Sequence, residues 1–143
     1  DLSNLDIDAA VAQWWQSYDE LKAEFPKVYG SREAHIRRAE IEMKTKYSTP
    51  EQLREELGVF KSAWNDIAPK LRMQIMPYAE VRECLRIVGA PYSIEQIGIT
   101  PERLFETLRG VPYMRSRYFG LDLLCRIGKY SDFEVYLKQI MGI

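Results

Sequence analysis

Thr49-Pro50-Glu51-Gln52-Leu53-Arg54-Glu55-Glu56-Leu57-Gly58-Val59-Phe60-Lys61-Ser62-Ala63-Trp64-Asn65-Asp66-Ile67 begins as a helix should begin and continues as a helix face. The Thr49 hydroxyl can accept from a free amide of the first turn, Pro50 suits a first helical position, and Gln52 stands where a capping box needs a returning side chain. Leu53, Leu57, Phe60, Trp64 and Ile67 then recur at steps of four and three. That spacing puts five apolar groups on one stripe and predicts a helix paired with one of the two helices before it. Pro69 is expected to break or kink it, because an interior proline removes a hydrogen bond and crowds the preceding turn.

The same period runs in both directions from this segment. Val11, Trp14, Tyr18, Leu21 and Phe25 predict one helix stopped by Pro26. Ser31 is placed to cap a second, through Ile36, Ala39, Met43 and Tyr47, whose charged opposite face makes it the most solvated. Downstream, Pro77 suits a first helical position, Val81, Cys84, Leu85 and Val88 share a face, and Gly89 before Pro91 ends the helix in the left-handed conformation. Shorter helices are expected over 93–97, 101–109, 115–127 and 132–140, the last with a capping box from Ser131 to Glu134. No stretch alternates long enough to read as a strand. The expectation is an all-α, compact multi-helix domain of about seven helices occupying residues 1–143 as one unit.

Composition narrows the functional classes. The 143 residues carry 20 Lys and Arg against 21 Asp and Glu, for a net charge of -1, so no global field draws the chain to nucleic acid or to an anionic membrane. No apolar run approaches the ~20 residues of a membrane span, and the start lacks the order of a signal peptide, so a cytoplasmic protein is expected. Cys84 and Cys125 then read as reduced cysteines on apolar helix faces rather than as a disulfide. Asp1 in place of Met suggests that the chain is part of something longer.

Few residues suggest chemistry. His35 is the one histidine and has no His or Cys three or four positions away, so it reads as an exposed polar residue rather than a zinc ligand. The eight glycines form no phosphate-binding loop after a strand. Adjacent carboxylates such as Asp19-Glu20 and Glu55-Glu56 diverge by ~100 degrees on a helix and read as solvated surface. No catalytic, cofactor-binding or metal-binding residue is therefore assigned.

Two segments are unusual. In Tyr113-Met114-Arg115-Ser116-Arg117-Tyr118, Arg115 and Arg117 alternate with tyrosines at an expected helix start, where an anion could bind; structural bonding of the arginines with Tyr113 and Tyr118 in the core is the favoured alternative. Trp14 and Trp15 cannot both face one core, so one of them, with Trp15 the candidate, can meet another domain.

The segment Leu85-Arg86-Ile87-Val88-Gly89-Ala90-Pro91, continued by Ser93-Ile94-Glu95-Gln96-Ile97-Gly98-Ile99, resembles a stretch near the C-terminus of sn-glycerol-1-phosphate dehydrogenases, especially the bacterial arabinose-operon branch. Tyr113-Met114-Arg115-Ser116-Arg117-Tyr118 and Leu121-Asp122-Leu123-Leu124 resemble a second motif of that family, and Met76-Pro77 with Glu80-Val81-Arg82 the helix before the first. The resemblance covers about residues 76–128. Phe119-Gly120 and Ile94 depart from the family pattern and leave the exact substrate open.

The resemblance implies the C-terminal portion of a dehydroquinate synthase-like, iron-dependent alcohol dehydrogenase fold. The complete enzyme would reduce dihydroxyacetone phosphate to sn-glycerol 1-phosphate with NAD(P)H and a divalent metal, Zn, Ni or Fe. Its partners would be its own N-terminal nucleotide-binding domain and further copies of itself. The family's metal ligands, an aspartate and two histidines, lie upstream of the matched motifs, which implies that this part is non-catalytic alone. The alternative is an independent helical module that binds a protein or an anion.

Overall fold

The computed structural model describes residues 1–143, which form eight α-helices, two short 3-10 turns and no strand. Asp6 starts α1 (Ile7–Trp14) by accepting from the Ala9 amide at 3.0 Å. One helix was expected from Val11 to Phe25, but the chain breaks after Trp15. Ser17 and Glu20 form a reciprocal capping box there, with bonds of 2.7 and 3.3 Å, and start α2 (Tyr18–Tyr29). Two amides satisfied locally outweigh an uninterrupted apolar period. The break sends Val11 to a core with Ala10, Leu53 and Leu57, and Phe25 to a second core with Ala39 and Met43.

Pro26 does not stop α2; it sits inside the last turn, and the helix ends at Gly30, whose amide donates to the Pro26 carbonyl at 2.8 Å. α3 (Glu33–Lys46) starts without a side-chain cap. The Ser31 carbonyl, rather than its hydroxyl, accepts from Glu33, so the expected Ser31 cap is absent. Nor is α3 the most solvated helix: it buries Ala39, Glu42, Met43 and Lys46, whereas no residue of α5 or α8 is buried. Its lower end is enclosed by the 3-10 turn at Val111–Tyr113, which covers charged residues as well as apolar ones.

α4 (Pro50–Gln74) starts with the expected box: Thr49 accepts from Gln52 at 3.3 Å and donates its own amide to the Gln52 side chain at 2.9 Å. It packs on α1. Pro69 lies inside it without ending it, since losing one bond late in a long helix leaves the ladder on either side intact. Pro77 occupies the cap position of α5 (Tyr78–Ile87). Gly89, at φ +71, ends α5 as expected: Ala90 donates to Leu85 at 2.9 Å and Gly89 to Arg86 at 3.2 Å, the paired bonds of a left-handed helix stop.

A 3-10 turn at Glu95–Ile97 leads to α6 (Pro101–Gly110), capped by Thr100 and packed on α2. α7 (Gly120–Arg126) begins five residues later than expected because Phe119 is extended and its amide donates to the Asp122 carboxylate at 3.0 Å. α8 (Tyr130–Met141) begins earlier than expected, and Ser131 provides no cap because it already lies within the helix. α7 packs against both α1 and α8 and so links the two ends of the chain.

Candidate functional site

The expected arginine-bearing helix start does not exist. Arg115 and Arg117 are exposed in the bends between the Val111–Tyr113 turn and α7, and neither forms an ion pair or a hydrogen bond. The structural alternative for the arginines is therefore not what the fold adopts either. Tyr113 does pack inward, its ring edge-on to Phe25 at 5.1 Å, and burial pushes its hydroxyl up to about 12. Trp15 turns toward the Ala10–Leu57 core, and its indole N–H donates to the Ser48 carbonyl at 2.9 Å. Trp14 is the more exposed of the two, so the pair divides as helix geometry requires, with Trp15 inward. The Trp14 ring lies over Gly128: a Cβ there would fall 2.0 Å from it.

The densest polar cluster joins residues that no motif connects. Lys46, at the end of α3, is 2 % exposed and pairs at 2.6 Å with Asp122 of α7, 6 % exposed. Its ammonium also donates to the Pro112 carbonyl. Arg126, one turn along α7, binds the Lys46 carbonyl, the Glu56 carboxylate and, at 3.1 Å, the Ser48 hydroxyl. Ser48 in turn donates to Glu56 at 2.6 Å. The Arg126 guanidinium lies 4.9 Å from the Tyr118 ring centroid. The network ties α3, α4 and α7 together and satisfies both ends of a buried charge pair, which is the condition for tolerating one.

Beside it is a cavity of about 140 Å³ edged by Trp15, Tyr47, Tyr113 and Cys125. Cys125 opens into this hollow, yet protein crowds it closely enough that burial pushes its thiol up to about 11. A thiol so shifted is protonated at neutral pH and is a poor nucleophile. Both cysteines are free, and Cys84 lies on an exposed rather than a covered apolar face. His35 is exposed, with its ring stacked on Tyr29 at 6.0 Å.

No three His, Cys, Asp or Glu side chains converge as a metal-holding group. The resemblance places the divalent-metal ligands upstream of the matched motifs, outside these residues. A dinucleotide site of strand, glycine loop and helix is likewise not built by an all-helical chain. No reaction step can be assigned to these residues.

A group of apolar side chains is also exposed. Leu71, Met73, Ile75, Met76, Ile87 and Val88 are exposed along the end of α4, the following turn and α5, with Met73 at 82 % and Val88 at 75 %. α4 joins the Ala10–Val11 core through Leu53 and Leu57 near its start, and buries Ala68 farther along. Exposed apolar side chains in such number suit an interaction site in a folded protein. Sequence periodicity identified the shared face of α5 but carried no signal that it would be uncovered.

Fold and surface thus define an all-α scaffold with an open apolar face. Comparison of the chain with protein-family models, curated proteins and solved structures finds no match. No helix is long and apolar enough to cross a membrane.

Proposed function

We propose that this chain is the helical C-terminal part of a cytoplasmic NAD(P)H- and metal-dependent dehydrogenase that reduces dihydroxyacetone phosphate to sn-glycerol 1-phosphate. In this reading it belongs to a dehydroquinate synthase-like, iron-dependent alcohol dehydrogenase fold and supplies scaffold rather than reacting groups. The observation that carries the scaffold role is the open apolar face from Leu71 to Val88, a surface suited to packing against another folded body. The identity of the enzyme rests on the resemblance over residues 76–128.

The motif residues behave consistently with structural work. Gly89 terminates α5, Tyr113 packs on Phe25, and Asp122 both starts α7 and neutralises Lys46. Metal ligands and nucleotide-binding groups would come from a domain preceding this one, and further copies of the enzyme would associate with it.

The decisive measurement is NAD(P)H oxidation with dihydroxyacetone phosphate by a longer chain that includes the preceding coding region, assayed with Zn, Ni and Fe. Turnover with at least one metal, together with inactivity of residues 1–143 alone, is expected. A longer chain with no nucleotide-binding region, or one inert with every metal and both cofactors, sinks the reading.

An independent interaction or anion-binding module is the second reading, favoured by the unpaired Arg115 and Arg117 beside the exposed Met114. Full stability of residues 1–143 together with one stoichiometric partner protein unrelated to dehydrogenases would support it.

A further inference from the structure

Two successive tryptophans inside one helix would point ~100 degrees apart, but α1 ends between them. Trp14 is its last residue, and Trp15 is already extended. Although Trp14 stays partly exposed and Trp15 turns inward, both indoles therefore line one hollow of about 140 Å³, the cavity beside the Lys46–Asp122 pair. Each is fixed by the fold: Trp15 donates to the Ser48 carbonyl at 2.9 Å, and Trp14 lies against Gly128, where a Cβ would fall 2.0 Å from its ring. Tyr47 and Tyr113 add two more rings to the wall, and Met43 and Cys125 add two sulfur atoms, polarisable partners that make favourable contacts with aromatic rings.

The charged groups on that wall are committed elsewhere. Asp122 accepts from the Lys46 ammonium and from the Phe119 amide. Arg126 donates to Glu56, to the Lys46 carbonyl and to the Ser48 hydroxyl, which itself donates to Glu56. No unmatched charge lines the hollow, so an ion would lose its hydration there with no counter-charge to replace it. The thiol of Cys125 is neutral as well. In size the hollow is close to the ~150 Å³ of an apolar cavity that admits one benzene ring.

We infer that this hollow binds a small neutral molecule built on a single aromatic ring. The ring lies among the four aromatic side chains and the two sulfur atoms, and a polar substituent points past the exposed Trp14 and Gln16 to solvent. No residue of the Leu71–Val88 face lines the hollow, so failure here leaves the scaffold reading standing.

Titration with phenol, benzoate and cyclohexanol, followed by NMR of the three indole N–H groups, tests this assignment. Trp64 stands outside the hollow and serves as the internal control. Phenol is expected to move the Trp14 and Trp15 resonances with a Kd of about 1 mM or below, and to leave Trp64 in place. Benzoate, the same ring with a charge, binds at least about tenfold more weakly, and cyclohexanol, which lacks the aromatic faces, about threefold more weakly. Cys125→Phe fills the hollow with a ring of its own and abolishes the phenol response. Three indoles moving together would mean that phenol merely adsorbs to exposed apolar surface, and overturns the proposal. Stationary Trp14 and Trp15 resonances, equal affinity for the three probes, or an unaltered phenol response in folded Cys125→Phe overturn it too. Should that variant fail to fold, the two thiols of the wild-type protein decide. With phenol at ten times its Kd, methyl methanethiosulfonate should modify Cys125 about tenfold more slowly and Cys84 at an unchanged rate. No slowing at Cys125, or equal slowing at both, overturns the assignment.

Discussion

Lys46 and Asp122 are 76 positions apart in sequence, and their buried side chains meet at 2.6 Å. Asp122 is used twice, once by the Lys46 ammonium and once by the Phe119 amide that begins α7. Removing the cation alone strands a carboxylate that is only 6 % exposed. Lys46→Met should therefore cost about 3–5 kcal/mol in urea unfolding, whereas adding Asp122→Leu to it should recover most of that loss. A single variant within 1 kcal/mol of wild type would mean that water enters the pair freely.

Gly128 and Trp14 set a second test. Alanine at 128 meets the Trp14 ring at 2.0 Å and must also adopt φ +67. Gly128→Ala should destabilise by about 2–4 kcal/mol, from overpacking and backbone strain together. Gly142, at φ +74 with open space around it, isolates the backbone part: Gly142→Ala should cost only about 1 kcal/mol. Thermal unfolding of the two variants side by side makes the comparison.

The capping boxes give a smaller and more local contrast. Thr49→Ala removes an acceptor in use at the start of α4 and should cost about 1 kcal/mol. Ser131→Ala removes a hydroxyl that caps nothing and should stay within about 0.5 kcal/mol of wild type. Chemical unfolding midpoints distinguish the two directly.

Alkaline pH should loosen the fold in two stages. Burial holds Cys125 at about 11 against 9.0 for an ordinary thiol, so above pH 9 the unfolded chain binds fewer protons than the folded one. Stability is then complete below pH 9 and declines toward pH 11. Tyr113, Tyr118 and Tyr130, raised from 10.0 to about 12, extend the decline over pH 10 to 12. Urea midpoints measured from pH 8 upward should fall in this order, and Cys125→Ser should delay the onset to near pH 10. A flat profile through pH 11 contradicts the burial of these groups.

Substitution on the open face should separate stability from association. Met73→Lys and Val88→Lys alter side chains that touch little, so unfolding of residues 1–143 should shift by less than about 0.5 kcal/mol. Binding of an apolar fluorescent dye to the same chain should drop. In the complete enzyme proposed above, the same two changes should weaken the fold by about 2 kcal/mol or more, as buried apolar contacts are lost.

What could be read from the sequence was what adjacent residues decide. The Thr49–Gln52 box and the Gly89 stop rest on bonds between near neighbours, and both formed. The Ser17–Glu20 box was equally local, but the longer apolar period across it hid the break between α1 and α2. The polar centre lay beyond reach for a different reason. Lys46, Ser48, Glu56, Asp122 and Arg126 come from three helices and one connection, and nothing in their spacing encodes their meeting. The late start of α7 follows from the same carboxylate, since Asp122 holds Phe119 extended where periodicity suggested a turn already under way.

α4 extends through 25 residues, roughly 37 Å at 1.5 Å per residue, yet its packing partner α1 covers only part of it. One helix therefore spans two regimes of local opening. Amides near Leu53 and Leu57 should exchange with solvent deuterium only on global unfolding, whereas those approaching Gln74 should exchange through fraying that leaves the cores intact. A body that docks on the outer half would slow that exchange and lengthen the cooperative unit, so that binding at the tip is felt as rigidity at the base.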